Sequence, residues 1–169
     1  NCDWSSDVCS SDLVQAAATM GAEGLTPVSH ADPRGFAKIE KVNFTGVYRL
    51  IRSLEPLLKA STAARVIHLT TSVASEPRAF WGPYAATKAG AENLMRCWAD
   101  EVESMPIRVA IVDPGRMRTG LRAQAFPGED PLILAHPQEI TPLMVDLARG
   151  DIEPPLYTKF ADWKARQAH

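Results

Sequence analysis

The sequence lacks the features that would commit a chain to a membrane, to nucleic acid or to an oxidising compartment. No apolar run approaches the roughly 20 residues of a membrane span, and the Ser- and Asp-rich start does not follow the basic-then-apolar order of a secretory leader. Basic residues are no more abundant than acidic ones, 18 Lys and Arg against 20 Asp and Glu, and they are spread along the chain. With a formal net charge of −2 and a pI near 6.1, there is no basic patch for nucleic acid or an anionic lipid surface. Cysteine is scarce: Cys2, Cys9 and Cys97 are odd in number and follow no disulfide or zinc spacing, which fits a reducing cytoplasm. His30, His68 and His136 lie far apart and are expected in loops or strands, so no metal site is implied. No internal repeat, heptad run or low-complexity segment is present. What remains is 169 residues, 46% of them hydrophobic, enough for one domain with its own core and suited to small-molecule chemistry.

The first thirteen residues, NCDWSSDVCSSDL, have neither helical nor strand periodicity and differ in composition from everything after Val14. Cys2 to Leu13 resemble the translated end of a widely used short-read sequencing adapter, whose codons GAC TGG AGT TCA GAC GTG TGC TCT TCC GAT give Asp3 to Asp12. Residues 1–13 are therefore expected to be a non-native tail, which leaves Cys2, Cys9 and Trp4 without a role and makes 14–169 the informative part.

From there the pattern alternates between helix and strand. Residues 34–59 place Phe36, Ile39, Val42, Val47, Leu50, Ile51, Leu54 and Leu58 at steps of three and four, with Asp32-Pro33 as cap and first turn. This predicts a long amphipathic helix interrupted at Gly46. RVIHLTT (65–71) is β-branched and apolar, as expected of a strand buried on both faces of a parallel sheet. A loop with Pro77, Gly82 and Pro83 leads to a second long helix from Tyr84 to Glu103, which Met105-Pro106 ends. IRVAIV (107–112) is another strand, residues 116–136 hold little periodicity, and a last helix from Pro137 buries Ile140, Leu143, Met144 and Leu147. Strands alternating with helices predict an α/β fold with a parallel sheet.

In such sheets ligands bind at the carboxyl ends of the strands, so the informative residues should follow 65–71 and 107–112. Tyr84 and Lys88 are four apart on the helix after the first of these, on one face and within mutual reach. An ammonium beside a phenol favours the phenolate, which is expected to lower the tyrosine pKa from about 10 towards the range of a general acid and base.

YAATKAG (84–90) resembles the active-site signature of the short-chain dehydrogenase/reductase family, and ordered motifs on both sides extend the resemblance over most of residues 14–120. VNFTG (42–46) resembles the segment with that family's active-site asparagine, and TTSVAS (70–75) the strand end with its hydroxyl residue. DPGRMRTG (113–120) resembles the Pro-Gly turn that lines the nicotinamide side. The resemblance implies a Rossmann-type domain that exchanges hydride between NAD or NADP and a carbonyl or secondary alcohol. It assigns Tyr84 as the acid or base, Lys88 as its partner and ribose ligand, and Asn43 as the holder of a water in a proton relay. It also implies that Pro114, Gly115, Met117 and Thr119, with Tyr84 and Lys88, contact the cofactor. The hydroxyl is either Thr71, thirteen residues before the tyrosine as the family's spacing requires, or Ser72, twelve before, which has the family's usual residue type and is slightly preferred. The outer faces of the two long helices offer a surface for homo-oligomerisation, as helix pairs do in this family.

The alternative is a non-catalytic Rossmann-like binding or regulatory protein, against which the joint presence of Asn43, Tyr84 and Lys88 argues. Smaller features read as structure: Cys97 as a core or interface residue, Asp113 as a turn former before Pro114, and Trp81 as a pocket wall or packing residue. One element of the resemblance is missing. No segment completes G-x-G-x-x-G, because Gly21 and Gly24 in TMGAEG lack the flanking strand and helix and read as a flexible loop, and QAAA (15–18) stands where the family has Asn-Asn-Ala-Gly. Residues 14–169 are thus expected to form the carboxy-terminal part of a single Rossmann-type domain, a doubly wound parallel sheet without its first strands and glycine-rich loop, and by themselves inactive. Titration of the 169-residue chain with NADPH or NADH checks this expectation, the predicted outcome being no saturable binding.

Overall fold

The computed structural model describes residues 12–152 and 156–167; Cys2, Trp4 and Cys9 lie outside them, as does most of the expected tail. Four parallel strands form one sheet in sequence order: β1 (Asp12–Gln15), β2 (Ala64–Leu69), β3 (Ile107–Asp113) and β4 (Tyr157–Lys159). The pairings run Val14 to Ile67, Ile67 to Ala110 and Val112 to Thr158. Because side chains alternate across a strand, Val66 and Ile111 face one layer while Ile67, Ala110 and Val112 face the other. Both faces are covered, which explains why β2 and β3 read as continuous apolar runs.

One layer contains α1 (Pro33–Glu40), α2 (Gly46–Ala60) and α3 (Gly82–Glu101). Val47, Ile51 and Leu58 of α2 and Ala91, Met95 and Trp98 of α3 pack on Val66 and Ile111. The other layer contains α5 (Thr141–Arg149), whose Leu143 and Leu147 cover Ile67 and Val112 together with Phe160 from α6 (Phe160–Gln167). A short helix α4 (Gly120–Ala125), started by the Thr119 hydroxyl accepting from the Arg122 N–H, stands at the end of the sheet after β3. No helix among the described residues is long and apolar enough to cross a membrane.

The long helix expected over 34–59 forms, with the Asp32 carboxylate capping the Gly35 N–H at 2.6 Å and Pro33 in the first turn. Its interruption falls earlier than Gly46: Lys41–Thr45 make a π-helical turn in which the Gly46 N–H reaches back five residues to the Lys41 carbonyl. Buried Ile39, Asn43, Val47 and Ile51 are four apart. On an uninterrupted α-helix each such step would drift by about 40°; the wider turn absorbs that drift and keeps all four facing inwards. Phe36, Val42 and Leu50, predicted to face the core, are exposed on the outer side instead. Where α3 passes the π turn it carries Gly90, at which a Cβ would lie 3.3 Å from the Phe44 ring.

Of the α-helices and strands, α4, β4 and α6 escape the sequence pattern. Each is too short to show a period, and β4 exists because β3 offers it a pairing edge. Ile111, fully buried between the sheet and the α2–α3 layer, is expected to cost about 2–5 kcal/mol on change to Ala. Urea denaturation of the full-length protein should show a lower midpoint with an unchanged slope.

Candidate active site

Tyr84 and Lys88 lie on the inner face of α3, beside the carboxyl ends of β2 and β3. Tyr84 packs among Met20, Val73, Ala85 and Ala125, with Trp81 and Leu121 alongside. The Trp81 ring is 5.7 Å from Tyr84 and 6.0 Å from Phe126, so it is both packing and part of an aromatic wall. Lys88 is 3% exposed, and its Nζ donates to the Leu69 carbonyl at 2.5 Å, at the last residue of β2. Burial pushes the lysine down to about 8, an effect that the Glu92 carboxylate opposes.

The tyrosine departs from its expected behaviour. Burial, followed by the negative charge of Asp113, pushes the phenol up to about 12 instead of lowering it. The physical reason is that the Lys88 ammonium is engaged at the Leu69 carbonyl, while the apolar surroundings of Tyr84 disfavour a phenolate.

Asn43 sits in the π turn at 1% exposure and joins three segments. Its Oδ1 accepts from the Thr19 N–H at 2.8 Å, and its Nδ2 donates to the Thr19 carbonyl at 2.9 Å and to Thr87 Oγ1 at 3.2 Å. The Thr87 hydroxyl is within reach of the carbonyls of Pro83 and Tyr84 at 3.0 and 2.9 Å. Thr87 was not singled out by sequence, although its place one residue before Lys88 is the kind of signal that could have found it. Thr71, in extended backbone, opens a single 3₁₀ turn over Ser72–Ala74, so both candidate hydroxyl residues lie where β2 gives way to the loop before α3. Both are half-buried.

After β3, Asp113 takes the turn role expected of it: its Oδ1 accepts from the Gly115 N–H at 2.9 Å. Gly115 has φ +73°, a left-handed conformation that favours glycine. Pro114 is half-buried and Gly115 exposed, whereas the Met117 side chain is buried with Ile140 and Leu143, and Thr119 caps α4. Asp113 also has a role that sequence did not reveal, since its charge acts on Tyr84 and its Oδ2 lies 3.5 Å from the Tyr157 hydroxyl. His30, His68 and His136 fall in separate elements. His68 is fully buried, bonded through Nδ1 to Gln15 Oε1 and without a hydrogen-bond partner for Nε2 among the described residues, and burial holds it down to about 3. Cys97 is exposed on α3, which removes it from the core.

The sequence profile described as short chain dehydrogenase matches residues 11–130. The chain belongs to the short chain dehydrogenase family. Oxidoreductase YciK of Escherichia coli (strain K12) is 38% identical over 125 residues, 74% of this chain and 49% of its own length. A short chain dehydrogenase from Salmonella enterica superposes with a TM-score of 0.80 at 34% identity, over 88% of this chain and 60% of the other. Another, from Escherichia coli and complexed with NADPH, gives 0.74 at 36% identity, over 81% and 56%. The chain thus spans about half the length of the curated relative and three-fifths or less of these two structures. In the segment YAATKAG, which resembles the family's signature, Tyr84 and Lys88 are 8% and 3% exposed on α3.

A lysine held near 8 in the folded state and at 10.5 when unfolded makes stability depend on pH with a definite sign. Between those values the unfolded chain binds more protons, so stability rises with pH and is lost as pH falls through 8. Melting temperatures of the full-length protein should increase from pH 8 to about 10, below the range in which tyrosines ionise, and the Lys88→Met variant should lose that slope.

Proposed function

We propose that the protein containing this chain is an NAD- or NADP-dependent oxidoreductase that interconverts a carbonyl and a secondary alcohol. The observation that carries this reading is the Tyr84 and Lys88 pair, one helical turn apart and buried at the carboxyl ends of β2 and β3. The nicotinamide, when bound, supplies or accepts the hydride. The described residues fit its ribose side: Lys88 Nζ is an ammonium with donors beyond the one given to Leu69, and the Pro114–Gly115 turn is exposed at Gly115. The phosphate-binding glycine loop is not in this sequence, and neither is the residue that would choose between NAD and NADP.

In the reductive direction Tyr84 gives its proton to the substrate oxygen. Its raised pKa means that it enters this step as the neutral phenol the step requires. Lys88, still largely an ammonium at neutral pH, holds the ribose and stabilises the phenolate that remains. The Ser72 hydroxyl, or that of Thr71, donates to the substrate oxygen, and Asn43 fixes the helix turn beside them and holds the relay water. The substrate meets Trp81 and the segment after Thr119. Residues 14–169 are read as the carboxy-terminal part of one domain acting in the cytoplasm, with the exposed Tyr48, Leu50 and Leu57 of α2 supporting association of copies.

Carbonyl-dependent oxidation of NADPH or NADH by the full-length protein tests the reading. Tyr84→Phe is expected to lower turnover about 10²- to 10⁴-fold with little change in melting temperature, and Ser72→Ala more than Thr71→Ala. Unchanged turnover in Tyr84→Phe would exclude the phenol as acid.

A further inference from the structure

Lys88 and Glu92 are one turn apart on α3, buried at 3% and 8% exposure, and each is tied to the same strand end. Lys88 Nζ takes the carbonyl of Leu69; the next residue, Thr70, donates its hydroxyl to Glu92 Oε2 at 2.7 Å. The other carboxylate oxygen, Oε1, accepts from Arg96 Nε and Nη2 at 3.1 and 2.7 Å, again four residues along the helix. Thr70 is fixed from the opposite side as well, its N–H donating to the Val112 carbonyl of β3 at 2.8 Å. Arg96 lies 5.3 Å from the centre of the Tyr157 ring, and the hydroxyl of that ring approaches Asp113. Lys88, Glu92 and Arg96 therefore form one row of side chains from the acid–base pair to β4.

We propose that Glu92 is a positioning residue: with Thr70 and Arg96 it fastens the strand end that presents Thr71 and Ser72 to the helix that presents Tyr84 and Lys88. The inference rests on the reading of Tyr84 and Lys88 given above and adds a residue that touches neither substrate nor cofactor. Two consequences follow from the bonding. Glu92 holds the hydroxyl-bearing turn in register with the phenol. Its negative charge also stabilises the Lys88 ammonium, and Arg96 partly offsets that charge.

The charged or titratable groups that act on Lys88 are Glu92 from α3 and His68, which is neutral, from β2; Asp113 of β3 acts on Tyr84. Removing the two charges around Glu92 should therefore move Lys88 in opposite directions. Glu92→Gln keeps the shape and an acceptor for Thr70 but loses the charge, which favours the neutral amine. Arg96→Met leaves the Glu92 charge uncompensated, which favours the ammonium.

The test is an NMR titration of the Lys88 side chain in the full-length enzyme without added nicotinamide. The expected midpoint lies about one pH unit lower in Glu92→Gln and higher than wild type in Arg96→Met. The alkaline limb of kcat/KM should follow the same order. Coincident midpoints in the three proteins, or a shift of the same sign in both variants, would overturn the proposal. Arg96 is 40% exposed at its side chain, so Arg96→Met decides the matter even if Glu92→Gln fails to fold. The Lys88 titration needs no turnover, so failure of this inference is read separately from failure of the catalytic reading, which a Tyr84→Phe enzyme with full activity would show.

Discussion

An ammonium group removed from water loses hydration worth about several kcal/mol even after its surroundings relax, and Lys88 is 3% exposed in the packed interior of α3. Two things offset that loss here. One is a carbonyl, that of Leu69, the last residue of β2. The other is the Glu92 carboxylate one turn away, itself held by Thr70 and Arg96. The remaining deficit appears in the lowered pKa of the lysine. The position of α3 on the sheet, the path of the chain after Leu69 and the burial of Glu92 all answer to the same buried charge.

The parallel sheet makes this arrangement possible. All four strands point the same way, so the loops that leave β1, β2 and β3 emerge at one edge. Thr19, Thr70–Ser72 and Asp113–Gly115 come from those three loops. At that edge α3 is bonded to the end of β2 through Lys88 and Glu92. Asn43 then closes the assembly from the π turn, binding the backbone of Thr19 on one side and the Thr87 hydroxyl on the other. A π turn at such a place fits the tendency of these irregularities to occur at functional sites.

Much of this was legible in the sequence where the signal is local. The four-residue spacing of Tyr84 and Lys88 survives any packing that keeps the helix, and the two-sided burial of β2 and β3 is visible in their unbroken apolar runs. The Asp32-Pro33 helix start and the Asp113-Pro114-Gly115 turn are equally local. What escaped depends on distant partners. The π turn forms because Asn43 finds Thr19 and Thr87, 24 and 44 residues away, and a helical pattern alone cannot report that. Phe36, Val42 and Leu50 extended the apolar stripe beyond the width the core could cover. The direction of the Tyr84 shift was misread because the helical spacing shows the lysine but neither the burial of the phenol, the larger cause, nor Asp113, which arrives from another strand. Lys88, Glu92 and Arg96 did carry a local signal, a row at steps of four, but its meaning comes from Thr70.

Asp113 shows how the short carboxy-terminal strand enters the site. One of its oxygens shapes the Gly115 turn and the other faces the Tyr157 hydroxyl of β4. Burial and the Asp113 charge then raise Tyr84, and Tyr157 is raised as well by its own burial and by this same carboxylate. The two phenols are thus kept protonated partly by a common charge. A fold selected for stability alone has no use for a buried lysine and a buried glutamate on α3 and a buried aspartate at the end of β3, since apolar residues of similar volume would pack there without desolvation loss. These three gather instead at the carboxyl ends of the strands, where loops of the sheet emerge, and desolvated titratable groups of this kind cluster at functional sites.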